Sequence, residues 1–148
     1  VTVADCVPVY LLDPTRRHCA LVHAGWRGVA GGILEAAVSH LCGASGGSPA
    51  DLAMHCGVAI SGPCYEVDDA VATACGKPTP TGTKVHLDLR DRLADQGDVL
   101  GVGEITVSGH CTASQPGDFF SHRGSGGRDG RQVAYLGYPV PGSAAVPL

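Results

Sequence analysis

Apolar segments separated by glycine- and proline-containing turns recur along this chain of 148 residues. Residues 1–12 are mostly apolar and predict a buried strand that ends at Asp13-Pro14, where the proline interrupts regular structure. Residues 19–23 predict a second, shorter strand of the same kind. Because only a turn at residues 13–17 separates the two strands, we expect them to be neighbours in one sheet.

The apolar positions that follow have the period of a helix. Between residues 30 and 41 they recur at i, i+3, i+4 and i+7, which is the spacing of a helix with one buried face. They predict a helix after the glycine turn at residues 25–28, and the small residues at 43–49 predict the loop that follows it. The apolar positions are Ala30, Ile33, Leu34, Ala37, Val38 and Leu41.

The second half of the chain predicts shorter elements. Three apolar or β-branched runs predict strands, at residues 52–60, 105–107 and 132–136. Two segments predict helices, at residues 68–75 and 88–96. Asp68 or Asp69 is expected to cap the first of these helices, and the second is expected to stop near Gly97.

The alternation of strands and helices predicts one α/β domain of the α+β kind over residues 1–138. Residues 139–148 are rich in proline, glycine and alanine and predict a frayed tail. The only methionine is Met54 and the chain begins with valine, so we expect that its true beginning is missing.

Composition and charge argue against several classes of partner. The formal charge is −4 and there is no basic cluster, which argues against a nucleic-acid partner. No apolar run approaches the roughly 18 residues that cross a bilayer, so we expect a soluble protein without a membrane partner. Seven cysteines at irregular spacing, without a C-x-x-C pair, predict neither a disulfide framework nor a zinc ribbon. We therefore expect reduced thiols and a cytoplasmic location.

Three polar residues inside the predicted strands need a reason to be there, because burying a polar group without a partner is costly. Asp5 and Cys6 lie in the first predicted strand, and His23 lies at the C-terminal end of the second. Two adjacent strands can bring the thiol and the imidazole together. That pair is typical of two chemistries, zinc ligation or a cysteine nucleophile with a histidine base. The structural alternative is a buried thiol beside a hydrogen-bonded core histidine.

Arginines beside glycine turns form two candidate anion sites. Trp26 and Arg27 lie in the turn at residues 25–28. In this turn the unpaired N–H groups of a helix start can bind an anion. The guanidinium can bind a phosphate or carboxylate through two hydrogen bonds, and the indole can stack on a ring. Ser121 and Arg123 precede a second glycine-rich loop. The alternative for either arginine is a solvated surface position.

Seven short motifs, spread in order over nearly the whole chain, resemble those of one known family. They are A-D-C-V-P-V at 4–9, H-A-G-W-R-G at 23–28, G-P-C-Y-E-V at 62–67, H-L-D-L at 86–89, C-T at 111–112, F-F-S-H-R at 119–123 and G-R at 130–131. The chain is thus similar to the laccase-domain family, first described as multicopper polyphenol oxidases and later as purine nucleoside phosphorylases with adenosine deaminase activity. The first two motifs together are highly specific. One difference is His122, where relatives commonly have the tyrosine of S-Y-R.

The resemblance implies a fold and a metal. The implied fold is a layered α/β sandwich with mixed β-sheets flanked by helices, and the implied metal is zinc bound by two histidines and one cysteine. Cys6 and His23 match two of these ligands. The third family ligand lies upstream of the first motif and has no counterpart in this chain, where His18, His110 and His122 are the candidates to replace it.

The function that the resemblance implies is phosphorolysis of purine nucleosides, with deamination of adenosine as a second activity. The partners would be a purine nucleoside and phosphate. In this hypothesis Arg27 and Asp5 are catalytic, with Arg27 holding the phosphate and Asp5 acting as an acid or base. Trp26, Ser121 and Arg123 would bind the substrate.

Three other hypotheses remain open at the level of sequence. A copper-dependent polyphenol oxidase needs several clusters of metal ligands, and the seven histidines include no H-x-H pair. A metal-free hydrolase or deamidase would use Cys6 as nucleophile and His23 as base. An incomplete domain would bind ligand, or only fold, without turnover.

Overall fold

The computed structural model describes residues 1–139, which form eight β-strands and four α-helices. In chain order these are β1 Thr2–Val3, β2 Val7–Asp13, β3 His18–Ala24, α1 Trp26–Ala30, α2 Ile33–Ser45, β4 Ala53–Cys56, β5 Glu66–Asp68, α3 Asp69–Ala74, β6 Lys84–His86, α4 Leu89–Leu100, β7 Glu104–Val107 and β8 Gln132–Val133. Short 3₁₀ helices occur at Pro49–Asp51 and Gly62–Cys64. The mixture confirms the predicted α/β (α+β) class. Residues 140–148 of the predicted tail lie outside the described residues.

A mixed four-stranded sheet forms the centre of the fold, in the order β3-β2-β4-β7. Strand β2 pairs antiparallel with β3 and β4, and β4 pairs parallel with β7. The predicted adjacency of the first two long strands is confirmed, with Pro8 opposite His23. Val7, Val9 and Leu11 of β2 are fully buried, because this strand has a neighbour on each side and helices against one face.

The helices cover one face of this sheet. Helix α2 packs on β3, α4 packs on β4 and β7, and the two helices contact each other. On the other face Pro8 and Tyr10 line a cavity with Phe119 and Val133, so the segments around β1 and β8 lie over that side of β2. This is the layered arrangement of mixed sheets and helices that the resemblance implies.

The first predicted strand is two strands, and this corrects the placement of Asp5 and Cys6. Strand β1 pairs with β8 in a separate two-stranded sheet, while β2 enters the central sheet. Between them the backbone of Asp5 has a φ of 78°, in the left-handed region that interrupts a strand. Aspartate is one of the few non-glycine residues that adopt this region without large strain. Asp5 and Cys6 therefore lie in a sharp bend.

The helix predicted after the glycine turn is also two elements. It breaks at Gly31-Gly32 into α1 and α2, and Gly32 has a φ of 74° that no side chain with a Cβ adopts easily. Helix α2 continues to Ser45, through part of the segment predicted as a loop. None of the helices within residues 1–139 combines the length and apolar character needed to cross a membrane.

Helix α4 runs past Gly97, where the sequence predicts a stop, and reaches Leu100. A Cβ on Gly97 would lie 2.9 Å from both the Met54 and the Ile105 side chains, so the glycine lets the helix approach the sheet closely. Gly97 therefore allows the helix to pack closely on the sheet and does not end the helix. In contrast, helix α3 begins as predicted, because the Asp68 carboxylate accepts a hydrogen bond from the Val71 N–H.

The remaining predicted strands are shorter than expected or sit elsewhere. The strand predicted at 52–60 is regular only in β4, after which Ala59 forms a single parallel bridge with Cys111. The strand predicted at 132–136 is only β8, and it pairs with β1 outside the central sheet. The pair β5 and β6 was not predicted, because both strands are three residues long and mostly polar.

Candidate functional site

The carboxylate of Asp5 accepts three hydrogen bonds from distant parts of the chain. Its Oδ1 accepts from the Thr112 hydroxyl at 2.6 Å and from the Ser121 hydroxyl at 2.8 Å. Its Oδ2 accepts from the main-chain N–H of Arg123 at 2.6 Å. The Asp5 carbonyl also accepts from the Ile60 N–H at 3.1 Å. One residue thus joins the bend before β2 to three other segments.

This network explains where two predicted residues lie. Ser121 is 3 % exposed, and besides donating to Asp5 its hydroxyl accepts from the Gly124 N–H at 2.9 Å. It does not line the cavity beside Asp5. A carboxylate has about four lone-pair positions, and three of those on Asp5 are occupied. The bonds therefore favour a role for Asp5 in positioning neighbouring segments, with one acceptor position left for a ligand.

The bend brings several predicted residues around one cavity of about 160 Å³. Asp5 and Cys6 line it from one side, and the turn before α1 lines it from the other. A Cβ on Gly25 would lie 3.0 Å from the Cys6 sulfur, so only a glycine lets that turn approach the thiol so closely. The lining residues are Asp5, Cys6, Gly25, Trp26, Arg27, Ile60, Tyr65 and Leu89. Four candidate residues from separate parts of the sequence analysis, Asp5, Cys6, Trp26 and Arg27, thus line one cavity, whereas His23 does not line it.

A second cavity of about 330 Å³ shares Trp26 and Tyr65 with the first. Arg123 lies in this second cavity, where its guanidinium carbon is 5.1 Å from the centre of the Tyr65 ring. Its Nη1 donates to the Glu66 carbonyl at 2.9 Å. Two aromatic rings therefore line both cavities.

Each of the two aromatic rings has an arginine stacked on it. The Arg27 guanidinium carbon is 4.4 Å from the centre of the Trp26 ring, matching the Arg123–Tyr65 pair. Stacking holds the two cations in the lining of the cavities, Arg27 in the first and Arg123 in the second, where they can meet an anion. Burial raises the pKa of the Tyr65 phenol despite the nearby Arg123 cation, so the phenol stays neutral and available as a hydrogen-bond donor.

The short helix α1 changes the expectation for anion binding at the glycine turn. It has five residues, and its first intrahelical bond runs from the Val29 N–H to the Gly25 carbonyl. The macrodipole of a helix this short stabilises an anion only weakly. Anion binding at this turn therefore depends on the Arg27 side chain.

The two predicted metal ligands lie at the same end of the β2–β3 ladder. His23 is exposed and stands opposite Pro8, two residues after Cys6. Burial raises the pKa of the Cys6 thiol, the negative charge of Asp5 raises it further, and Arg131 lowers it. A thiol and an imidazole are donor types that suit zinc, and they are two of the three protein ligands of a catalytic zinc site.

No third ligand joins them within residues 1–139, where no three His, Cys, Asp or Glu side chains form a group that could hold a metal ion. His18 is at the opposite end of β3, paired with Asp13. His110 packs against Phe119 at 5.9 Å between ring centres, and His122 lies against Gly127. None of the three candidate replacements therefore completes the site.

Sequence reasoning missed three residues of this region. Tyr65 lines both cavities, Thr112 is fully buried and donates to Asp5, and Ile60 donates its N–H to the Asp5 carbonyl. Tyr65 and Thr112 lie inside the quoted motifs at 62–67 and 111–112, so the motifs contained the signal. Nothing in the sequence distinguished Ile60 from an ordinary core residue.

Replacing Asp5 by asparagine tests the network. Asparagine tolerates the left-handed backbone, but its NH₂ group opposes at least one of the three donors. We expect Asp5→Asn to lower the free energy of unfolding by about 1.5–3 kcal/mol, the size of one hydrogen bond to a charged group. Urea unfolding measures this. The matched control is Asp118→Asn at an exposed carboxylate, for which we expect a change within about 0.5 kcal/mol. Equal effects of the two variants would contradict the network.

Comparison with known proteins identifies relatives with the same sequence pattern. The family model described as multi-copper polyphenol oxidoreductase laccase matches residues 1–138. Purine nucleoside phosphorylase YlmD of Bacillus subtilis is 35% identical over 146 residues, covering 90% of this chain and 52% of that protein. Adenosine deaminase RL5, from an unknown prokaryotic organism, is 34% identical over 145 residues, covering 88% of this chain and 54% of that protein.

Solved structures share the fold as well. The Bacillus licheniformis hypothetical protein YfiH superposes with a TM-score of 0.81 at 35% identity, covering 88% of this chain and 53% of that chain. YlmD from Geobacillus stearothermophilus superposes with a TM-score of 0.78 at 34% identity, with the same coverage of 88% and 53%. The chain spans about half the length of the relatives it matches. These matches confirm the resemblance drawn from the motifs, and the chain belongs to the multi-copper polyphenol oxidoreductase laccase family.

Proposed function

We propose that this chain contributes the nucleoside and phosphate site of a purine nucleoside phosphorylase. The observation that supports this most is the pair of adjoining cavities that share the rings of Trp26 and Tyr65, each ring with an arginine stacked on it. Aromatic faces suit a purine base, and guanidinium groups suit phosphate. The relatives named purine nucleoside phosphorylase agree with this chemistry.

The reaction joins phosphate to the ribose anomeric carbon as the bond to the purine breaks. The products are the free base and ribose 1-phosphate. Catalysis needs the phosphate held in line with that bond and its charge neutralised while charge moves into the purine. We assign phosphate binding to Arg27, beside the Cys6 and Asp5 end of the first cavity. Arg123 is held by the Glu66 carbonyl and Asp5, and we assign it to the purine or phosphate.

Trp26 and Tyr65 then bind the base by stacking, since both residues line both cavities. Ser121 acts indirectly, because its hydroxyl is bonded to Asp5 and sets the position of Arg123 two residues later. Asp5 holds the Arg123 main chain in place. These assignments keep all the predicted substrate-binding residues in or beside the site, with Ser121 as a positioning residue.

We propose zinc as the metal, with Cys6 and His23 as two of its ligands. Bound zinc would supply Lewis-acid polarisation and a water of lowered pKa, the chemistry that deamination of adenosine needs. The relative named adenosine deaminase makes this the second activity to test. We also propose a reducing, cytoplasmic setting, because all seven cysteines are free.

Replacing Arg27 tests the phosphate assignment. For Arg27→Ala we expect kcat/KM for phosphate to fall about 100-fold, because a charge-assisted contact to the reacting anion is lost. The assay measures adenine and ribose 1-phosphate formed from adenosine and phosphate by chromatography. The control is Arg128→Ala, at an exposed arginine whose contacts are to Ser125, and it should retain its activity.

Three outcomes would count against the proposals. Equal activity of Arg27→Ala and wild type would remove Arg27 from the phosphate site. Absence of both adenine and inosine in the wild-type reaction would contradict the proposed enzyme class. Oxidation of a phenol by a protein with several copper ions per chain would favour the oxidase alternative instead.

Zinc affinity tests the ligand assignment independently of turnover. We expect Cys6→Ser and His23→Ala each to weaken zinc binding at least about tenfold, because each removes one ligand. Competition with a chromophoric zinc chelator measures the affinity. His18→Ala removes an exposed imidazole from the same strand and should leave the affinity unchanged. Equal zinc affinity of all four proteins would remove Cys6 and His23 from the metal site.

A further inference from the structure

Two cysteines that neither the proposed reaction nor the metal assignment uses lie close together. Cys64 ends the 3₁₀ helix Gly62–Cys64, and Cys111 pairs with Ala59 in a single parallel bridge. The main-chain N–H of Ser61 donates to the Cys111 sulfur at 3.3 Å. The Ser61 carbonyl accepts a hydrogen bond from the Cys64 N–H at 3.0 Å, so Ser61 contacts both cysteines. Burial raises the pKa of the Cys64 thiol, and the neighbouring Cys111 thiol raises it further. Both thiols are free.

The surroundings of the Cys111 sulfur favour a thiolate. Burial raises the pKa of this thiol, but hydrogen bonds from the side chains and main chains of Ser114 and Ser61 outweigh burial and lower the pKa to about 6. At pH 7 the thiolate form of Cys111 is then favoured over the thiol, unlike that of an ordinary cysteine. Cys56 lacks such donors, and burial raises its pKa to about 12. Cys111 is itself 6 % exposed and Cys56 is 0 % exposed, so Cys56 is an internal reference for a buried thiol without such hydrogen-bond donors.

A buried ion pair fixes the two cysteine segments relative to each other. Arg90 is 6 % exposed and pairs with Asp88 at 2.7 Å. Asp88 accepts from the Gly62 N–H at 2.9 Å, at the start of the helix that ends with Cys64. Arg90 donates to the carbonyls of Ser108 and His110, at 2.8 and 2.7 Å, immediately before Cys111. The two cysteine segments are thus fixed relative to each other, with no long loop between the ion pair and either cysteine.

We propose that Cys64 and Cys111 form a site of reversible oxidation, in which a hydroperoxide converts the two thiols into a disulfide. The Cys111 thiolate attacks one peroxide oxygen, the O–O bond breaks, and the leaving oxygen takes a proton to become water or an alcohol. Cys111 is then a sulfenic acid. The Cys64 sulfur attacks it, the S–O bond breaks, and the departing hydroxide leaves as water with the thiol proton. Two thiols lose two electrons, and the peroxide accepts them.

The disulfide would connect two parts of the region around Asp5. Cys64 precedes Tyr65, which lines both cavities, and Cys111 precedes Thr112, which donates to Asp5. Oxidation would therefore fix the ring of Tyr65 relative to the Asp5 network. Formation of the disulfide does not depend on the proposed nucleoside chemistry, so the two proposals fail separately.

Peptide mapping of the oxidised chain tests the proposal. The reduced full chain is treated with hydrogen peroxide, blocked with N-ethylmaleimide, digested without reductant and analysed by mass spectrometry. We expect a peptide pair joined through Cys64 and Cys111, and a drop of about tenfold in alkylation of these two thiols, since thiolate character sets oxidation. Alkylation of Cys42 and Cys56 should change less than about twofold, and dithiothreitol should reverse the drop.

Single-residue variants distinguish formation of the sulfenic acid from formation of the disulfide. Cys64→Ser should leave Cys111 as a sulfenic acid that dimedone traps about tenfold more than in wild type, because its partner thiol is missing. Cys42→Ser is the control and should form the same disulfide as wild type. Ser114→Ala, which removes one hydroxyl donor to the Cys111 sulfur, should slow the oxidation. Circular dichroism establishes that each variant is folded.

Three results would overturn the proposal. One is oxidation of the wild-type chain without the Cys64–Cys111 peptide pair. Another is equal oxidation of Cys56 and Cys111. The third is an unchanged oxidation rate in Ser114→Ala together with no dimedone adduct at Cys111 in folded Cys64→Ser.

Discussion

The hydrogen bonds to the Asp5 carboxylate are the constraint on which the rest of the site depends. They connect the bend before β2 to Thr112, Ser121 and Arg123, and two of the donors are hydroxyls with almost no solvent exposure. A buried hydroxyl without a partner costs free energy, so the carboxylate stabilises these segments in one arrangement only. The same bend separates β1 from β2 and places Cys6 beside Gly25. Asp5 therefore determines both the position of the loops and the shape of the cavity.

Much of the fold could be predicted from local pattern. The strands β2 and β3, their adjacency and the Asp68 cap of α3 follow from apolar runs and one capping side chain. The errors occur where tertiary packing overrides a local signal. Gly97 looks like a helix stop, yet it lies inside α4 because Met54 and Ile105 pack against it. Likewise the run at residues 1–12 gives no sign of the left-handed bend, which is stabilised by distant donors.

The sequence indicates candidate residues for the site but not their geometry. A carboxylate within an apolar run needs a hydrogen-bond partner, and the Asp5 carboxylate has three. Its partners lie 107, 116 and 118 positions away in sequence, a distance at which spacing carries no information. The three bonds favour a positioning role for Asp5, and its acid or base role stays a prediction. The hydrogen-bond donors around the Cys111 sulfur could not be predicted either, since Ser61 is 50 positions from Cys111 in sequence.

Hydrogen exchange at the Arg123 amide tests the central role of Asp5 most directly. This N–H lies in an exposed loop, and only its bond to the Asp5 carboxylate protects it from solvent. We predict that it exchanges at least about 100-fold more slowly than the amide of Arg131, because exchange then requires the network to open. Protection should disappear in Asp5→Asn. Exchange of the wild-type Arg123 amide as fast as that of Arg131 would contradict the role assigned to Asp5.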